Sequence, residues 1–439
     1  MISLVKELWR TLLFVFSIQF WRMGLLWTFS IVFSHYQLIK DFLCSQRPKS
    51  YYRCSPCTVP VRPVAVVTGA TSGLGFYTAY ELSKEGYVVV LVGRSQQLLL
   101  EAERKIKDWN RNAHLKAFQV DLSSVESIIM FRKSLQQWLS DSDLHSSIQL
   151  LINAAGILAT SPRITADGYD QMIGTNYIGA FVLTNLLLPL LESSNVSSRI
   201  VNVTSFTHRN VTDMQVDDRT VSGKRFLSYM QYPYANIYEY SKLCLLLFTF
   251  ELHRQLRLRE KSHQIFVAAA DPGVVQTNIL REVPSLLSLL AHFVLKHLGL
   301  LQSPEYGVSS IIDAALAPPG TSGAYFFGGI GRTIEPSILS RDAGLALKLW
   351  ETTSLLQQYS ILVALSHVIW VIVHGDRLLR FKIPETSLKP SFSPIRFGGS
   401  SRVSSSTRSV AGFISSLNSI HCLNEVQNWR VLSSKGGLF

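Results

Sequence analysis

Tyr238 and Lys242 stand four residues apart in the run YEYSK, and Ser205 ends the apolar run VNVTS, 33 positions before that tyrosine. Four residues is one helical turn, so on a helix the lysine ammonium shares the tyrosine's face. An unperturbed phenol titrates near 10 and exchanges protons poorly at neutral pH. A cation beside it favours the phenolate and brings the titration toward neutrality, where the group can trade a proton with an alcohol or carbonyl oxygen. Ser205 would bond that oxygen and hold it for attack. Tyr240, two residues on, points to another side of the helix and is the decoy.

Upstream lies a nucleotide cradle. An apolar run, 64–68, leads into TGATSGLG (68–75) and then into a helical pattern. Gly69, Gly73 and Gly75, with Ser72 and Leu74 between them, allow a tight turn and close approach to a pyrophosphate resting on a helix N-terminus. A glycine triplet alone is a weak signal, but the strand before it and the helix after it supply the required context. The second strand ends in Val92-Gly93-Arg94-Ser95, where an NAD-binding fold usually carries an acid for the ribose hydroxyl. Arg94 suits a 2′-phosphate instead, which selects NADP(H) as the cofactor. Asp121 and Leu122 end the third strand and are placed to meet the adenine; Asn153 and Ala154, in NAAG (153–156), end the fourth and give the nucleotide close backbone access.

These residues need a scaffold, and the alternation of patterns specifies one. Six apolar runs, 64–69, 87–93, 114–122, 148–156, 199–205 and 265–273, are separated by helical stretches such as 74–85, 96–110, 123–139 and 236–257. Short runs rich in Val, Ile and Leu are expected of strands buried on both faces. The pattern predicts an α/β fold, a doubly wound parallel sheet of Rossmann type with helices on both faces.

The remainder is apolar and basic. The chain has 439 residues, 47% hydrophobic and 16% charged, with a net charge of +12. Its basic residues are scattered and no DNA-reading motif appears, so nucleic acid is not expected as a partner. Five cysteines make no disulfide framework; Cys54 and Cys57 form a CxxC with no second pair at zinc spacing, so no metal site is expected. Residues 11–20 and 24–33 are apolar runs interrupted by Trp21, Arg22 and Met23. A charge inside a bilayer costs roughly 2.5–3.5 kcal/mol on insertion scales. The segment is therefore one tilted span, a re-entrant hairpin with Arg22 at the headgroups, or a signal peptide. No small-residue cleavage site follows, which favours an uncleaved membrane anchor. More Lys and Arg follow the apolar run than precede it, which places the catalytic domain in the cytosol. Sequons begin at Asn195, Asn202 and Asn210; Asn202 lies in a strand pattern where a glycan does not fit. The apolar segments 284–301 and 359–374 are core helices or oligomer interfaces on one reading and membrane contacts on the other, so a homo-oligomer stays open. The expected organisation is an anchor at 1–45, a linker at 46–60, a catalytic domain at 61–353, an apolar helical segment at 354–385 and a Ser-rich, disordered tail at 386–439.

TGATSGLG (68–75), NAAG (153–156), TNYIG (175–179), VNVTS (201–205), YEYSK (238–242) and DPGVVQT (271–277), in that order, resemble the short-chain dehydrogenase/reductase family. The resemblance covers about 290 residues, 61–350, and the six motifs together are highly specific. It implies hydride transfer between nicotinamide and an alcohol or carbonyl, with Tyr238 as the acid–base group. It gives Lys242 a second task on the nicotinamide ribose, and has Asn176 anchor a water that links Lys242 to a proton relay. Pro272, Gly273 and Thr277 resemble the segment that meets the nicotinamide carboxamide. One departure is the long Ser205–Tyr238 interval, whose insert 206–237 resembles that of retinol-dehydrogenase-like members and leaves the pose of Ser205 open. The anchor, the helix at 284–301 and the insert suggest a lipophilic substrate taken from membrane lipid, polyprenol-, retinoid- or steroid-like, at the endoplasmic reticulum or a lipid droplet. The alternative is an idle NADP(H)-binding sensor or membrane scaffold; loss of Tyr238 or Lys242 would have favoured it, and both are present.

Overall fold

The computed structural model describes residues 2–44, 50–56, 62–142, 144, 146–258 and 265–374. By compactness the chain divides into Met1–Val368 and Ile369–Phe439, and of the second unit only the last turns of a helix are described. Cys57 of the CxxC and the tail from 386 lie outside the described residues.

The six expected runs form strands β1 (Val64–Thr68), β2 (Val88–Gly93), β3 (His114–Gln119), β4 (Leu150–Asn153), β5 (Ser198–Val203) and β6 (Ile265–Asp271). They pair in parallel in the order β3-β2-β1-β4-β5-β6, with a seventh strand, Tyr325–Phe327, beyond β6. The order reverses between β1 and β4, and this switch point is where α/β sheets bind ligands. β1, β2 and β4 are buried along their whole lengths, as their unbroken apolar runs require. β3 departs from that expectation: it is the edge strand and exposes His114 and Lys116, two residues apart on one face. The seventh strand escaped the sequence reading because three residues among glycines carry no readable period. A second small parallel pair, Val274–Val275 with Leu301–Gln302, was likewise too short to see.

Helices Gly73–Lys84, Gln96–Trp109 and Ser309–Leu316 pack one face of the sheet through Ala79, Leu82, Leu99, Ala102, Ile106 and Ile311. Helices Val125–Asp141, Gly179–Glu192 and Tyr234–Arg257 lie on the other, where Phe181, Phe248 and Trp350 interlock with centroids 5.0–5.7 Å apart. The stretch Gln171–Glu192 is apolar and long enough to span a bilayer, yet it is mostly buried inside the protein and is a core helix. Asn202 sits fully buried between Asn153 and Thr249, which leaves no room for a glycan. The expected segment 359–374 is the end of one continuous helix, Ala343–His374, that also runs through the expected boundary at 353. Thr353 and Ser360 from this helix bond Tyr177 and Tyr169 of the catalytic unit.

The N-terminal stretch is helical but broken: Ile2–Val15, Ile18–Trp21, a wide π-turn Arg22–Trp27, then Thr28–Cys44. The two long arms are bent by 66°. By length and composition this bent pair passes for a broken span or a re-entrant loop.

Candidate active site

The glycine turn has the geometry its spacing predicted. Gly69 and Gly73 take φ of +68° and +52°, a region closed to most side chains. A Cβ on Gly75 would stand 2.3 Å from the Gly69 carbonyl oxygen, so the helix start and the turn pack backbone to backbone. Ser72 precedes the helix without capping it by its hydroxyl, which leaves first-turn N–H groups to an incoming anion. Thr68 Oγ1 accepts from the amides of Ala154 and Ala155 at 3.0 and 3.1 Å, tying the β1 turn to the β4 turn.

Both turns open into one cavity of about 1130 Å³. Its lining includes Gly69, Ser72, Gly73, Leu74, Gly75, Arg94, Leu122, Ala154, Ser205, Tyr238, Lys242, Pro272, Gly273 and Thr277. Arg94 is exposed at the rim with its side chain available to a ligand. Three expected residues do not line it. Asp121 turns inward on its own loop, accepting from the Ser123 amide and hydroxyl at 2.9 and 2.7 Å. Asn153 is buried behind the sheet, donating to Thr184 and Asn202. Asn176 sits in a π-turn, Gly174–Ile178, whose extra residue turns the amide toward Ile157, where it bonds both N–H and C=O at 2.8 and 2.9 Å. A Cβ on Gly156 would meet Lys242 Nζ at 3.5 Å and Asn176 Oδ1 at 3.6 Å, so that glycine keeps the gap between them open.

Tyr238 and Lys242 lie on one face of helix Tyr234–Arg257, as their spacing demanded. Lys242 Nζ donates to the Val203 carbonyl at 3.0 Å and stands 5.7 Å from the Tyr238 ring centre. Burial pushes the lysine down to about 8, partly offset by the Asp271 carboxylate. The expectation that Tyr238 is drawn toward neutrality is not met in this structure. Burial and the negative field of Asp271 push its phenol up, against a hydrogen bond with Ser205 that lowers it. Lys242 Nζ bonds the Val203 carbonyl and stands 5.7 Å from the ring centre, and its charge does not reverse that balance.

The insert leaves Ser205 beside the tyrosine on the cavity wall, its Oγ also accepting from the Thr207 amide at 3.3 Å. Residues 206–233 fold into the short helices Phe206–Asn210, Asp218–Val221 and Lys224–Leu227 and leave Ser205 facing the tyrosine. Tyr240 is the decoy: its hydroxyl pins the insert by donating to the Gln215 carbonyl at 2.8 Å. Three buried groups to which the sequence reading gave no role support the site. Asp271, at the end of β6, accepts from Tyr325 at 2.5 Å and from the Gly273 amide at 2.9 Å. His208 donates from Nδ1 to the Ser205 carbonyl at 2.6 Å and accepts at Nε2 from the Ser337 amide at 3.1 Å. Burial and the neighbouring Arg209 push it down to about 3, so it is a fixed neutral strut.

The third is Glu239, beside Tyr238. Its carboxylate, with no exposed surface, receives Arg22 Nε at 2.9 Å, Arg22 Nη2 at 2.5 Å and Trp27 Nε1 at 2.7 Å. Arg22, read from the sequence as a charge stranded among apolar residues, is thus paired inside the protein. Arg22 was legible as a lone charge among apolar residues; nothing in the sequence said that Glu239 is its partner.

The profile described as short chain dehydrogenase matches residues 63–216. The human protein named polyprenol dehydrogenase is 36% identical over 275 residues, 61% of this chain and 78% of its own length. Mouse retinol dehydrogenase 13 is 32% identical, with 67% of this chain and 84% of that protein covered. A solved structure from Mycobacterium paratuberculosis superposes with a TM-score of 0.52 at 28% identity, covering 69% of this chain and 95% of its own. The parallel sheet, the cradle at its switch point and these relatives agree: the chain belongs to the short-chain dehydrogenase/reductase family, in its retinol-dehydrogenase-like branch, and is a hydride-transfer oxidoreductase that uses a nicotinamide cofactor.

Proposed function

We propose that this enzyme uses NADP(H) to interconvert a lipophilic alcohol and its aldehyde or ketone, with Tyr238 as the acid–base group. The observation that carries the reading is the convergence of Tyr238, Ser205, Lys242 and the glycine turn on one cavity whose far wall is apolar. In reduction, Tyr238 gives its phenolic proton to the substrate oxygen, which Ser205 holds. The upward shift of the phenol keeps that proton in place at neutral pH. Lys242, charged below about pH 8, stabilises the phenolate left behind across the short gap to the ring. In oxidation the same groups run in reverse. The dinucleotide, when bound, supplies or accepts the hydride. Gly69, Ser72, Gly73, Leu74 and Gly75 would cradle its pyrophosphate, with Leu122, Ala154, Pro272, Gly273 and Thr277 along the remaining lining. Arg94 at the rim would meet a 2′-phosphate, the feature that favours NADP(H) over NAD(H). Asn176 and Asn153 act by holding the β4 turn.

The chemistry of the substrate follows from the lining. Trp27, Ile31, Leu287 and Leu295 face the cavity and offer a ligand apolar surface only. Polyprenol and retinol, named in the two relatives, are both alcohols on isoprenoid chains, which such walls suit. The outer faces of the N-terminal helices and of Ser285–His297 expose Phe16, Ile18, Phe29, Leu289 and Phe293, an apolar surface for lipid beside the cavity mouth. The test is NADPH oxidation by the detergent-purified protein against long-chain aldehydes, retinoids, steroids and small polar ketones, with Tyr238→Phe as control. Turnover of the long-chain substrates, lost in the variant with NADPH binding intact, is expected. Turnover of small polar carbonyls alone would refute the substrate class.

A further inference from the structure

The N-terminal helices bond directly to the helix that carries Tyr238 and Lys242 and to the short helix that follows Ser205. Gln19 Oε1 accepts from the Ala235 amide at 3.1 Å, supplying a cap that the helix bearing Tyr238 otherwise lacks. Ser17 meets the Tyr234 hydroxyl at 3.3 Å, and Phe14 stacks on the Tyr234 ring with centroids 5.4 Å apart. Arg22 and Trp27, at the two ends of the π-turn, both bond Glu239. On the Ser205 side, Ser30 donates to Asn210 at 2.6 Å, and Arg209 donates to Ser34 and Gln37. These contacts leave the Trp27 indole 5.5 Å from the Tyr238 ring, tilted by 38°, inside the cavity. Phe20, Met23 and Ile31 continue that wall. A segment that only tethered the enzyme to lipid would need none of this.

We propose that residues 14–31 form one wall of the substrate site, with Trp27 as a specificity-determining residue for a long apolar chain and Arg22 and Glu239 as positioning residues. The inference rests on the oxidoreductase reading above. The buried pair fixes the wall, because either charge left alone in that setting is strongly disfavoured. Trp27 then offers its face to the first carbons of the substrate chain beside the reacting oxygen. A short polar carbonyl reaches Tyr238 and Ser205 without touching that face, so the wall acts on KM for long chains and not on proton transfer.

The test compares a long-chain isoprenoid aldehyde with a short aldehyde in the unaltered protein, Trp27→Ala and Trp27→Phe. Trp27→Ala should raise KM for the long substrate about tenfold, the change that ~1.4 kcal/mol of lost contact corresponds to. The long-over-short ratio of kcat/KM should fall by the same factor, and Trp27→Phe, which keeps a ring face, should recover most of that ratio. Equal effects on both substrates, or none on either, would overturn the assignment. A second measurement needs no turnover: a diazirine-bearing isoprenoid alcohol is crosslinked to the unaltered protein and the labelled peptide mapped. Label within residues 14–31 supports the wall, and label confined to other segments overturns it. If the protein oxidises NADPH with neither aldehyde, the catalytic reading fails, while the crosslink still decides where the chain lies.

Discussion

Removing the Arg22 side chain should leave Glu239 as an uncompensated buried carboxylate, and the consequence depends on pH. In the intact protein the carboxylate has no exposed surface, and its titration is raised by burial and held back by the Arg22 hydrogen bonds and charge, with Trp27 and Asn210 assisting. Breaking a buried pair by removing one partner costs about 3–5 kcal/mol. The guanidinium itself keeps 24% of its side-chain surface exposed, and Trp27 still donates, which places Arg22→Ala at the lower end, ~3 kcal/mol at pH 7.5. The sign of the pH dependence follows from linkage. Without Arg22 the folded state holds Glu239 further above the 4.5 of a free glutamate, so the folded protein binds the extra proton and gains stability as pH falls. The deficit relative to the intact protein should shrink by up to ~1.4 kcal/mol per pH unit between 7.5 and 5.5. Denaturant unfolding in detergent at the two pH values reads it directly, and Arg22→Met with Glu239→Leu, which removes both charges, should recover most of the loss. A deficit equal at both pH values, or no recovery in the double variant, would refute the pairing as a contributor to stability.

Other perturbations bear on the site itself. Tyr238→Phe should lower turnover about 10²–10⁴-fold while NADPH still binds, as measured by nucleotide fluorescence, because only the proton donor is lost. Arg94→Asp should weaken NADPH and shift the NADPH/NADH ratio of kcat/KM by about 10–100-fold, the scale of a charge-assisted hydrogen bond. Gly75→Ala should cost both stability and nucleotide binding, since its Cβ would stand 2.3 Å from the Gly69 oxygen and backbone must move. Lys242, held down at about 8 by burial, should make unfolding free energy rise between pH 8 and 10, where the unfolded chain still binds the proton and the folded one has released it. Lys242→Met should flatten that rise, and a slope unchanged in the variant would contradict the shift.

Much of the nucleotide half was legible because its chemistry is local. A glycine turn between a strand and a helix, or a tyrosine and lysine one turn apart, is encoded within a few residues, and the backbone periods that place them are short. The same locality explains the misses on the sheet. β3 looked like its neighbours, and only its place at the edge explains why its alternate residues face solvent. Asp121 and Asn153, placed at strand ends from the sequence for the adenine and for backbone access, bond through their side chains to Ser123 and Asn202, partners that strand position does not reveal.

The chain's own order of residues was thus sufficient for the α/β alternation, the glycine turn between strand and helix, and the one-turn spacing of Tyr238 and Lys242. The ionisation state of that pair and the contacts of the N-terminal helices came from packing. Whether Tyr238 is drawn up or down depends on Asp271, 33 residues away, and on how deeply the phenol is buried. Arg22 and Glu239 are 217 positions apart, and Arg22 alone resembles an error in an apolar run. Electrostatic energy depends on separation and burial in space, which sequence distance does not record, so the broken helix could be known as a wall of the site only once the chain had folded over its own catalytic helix.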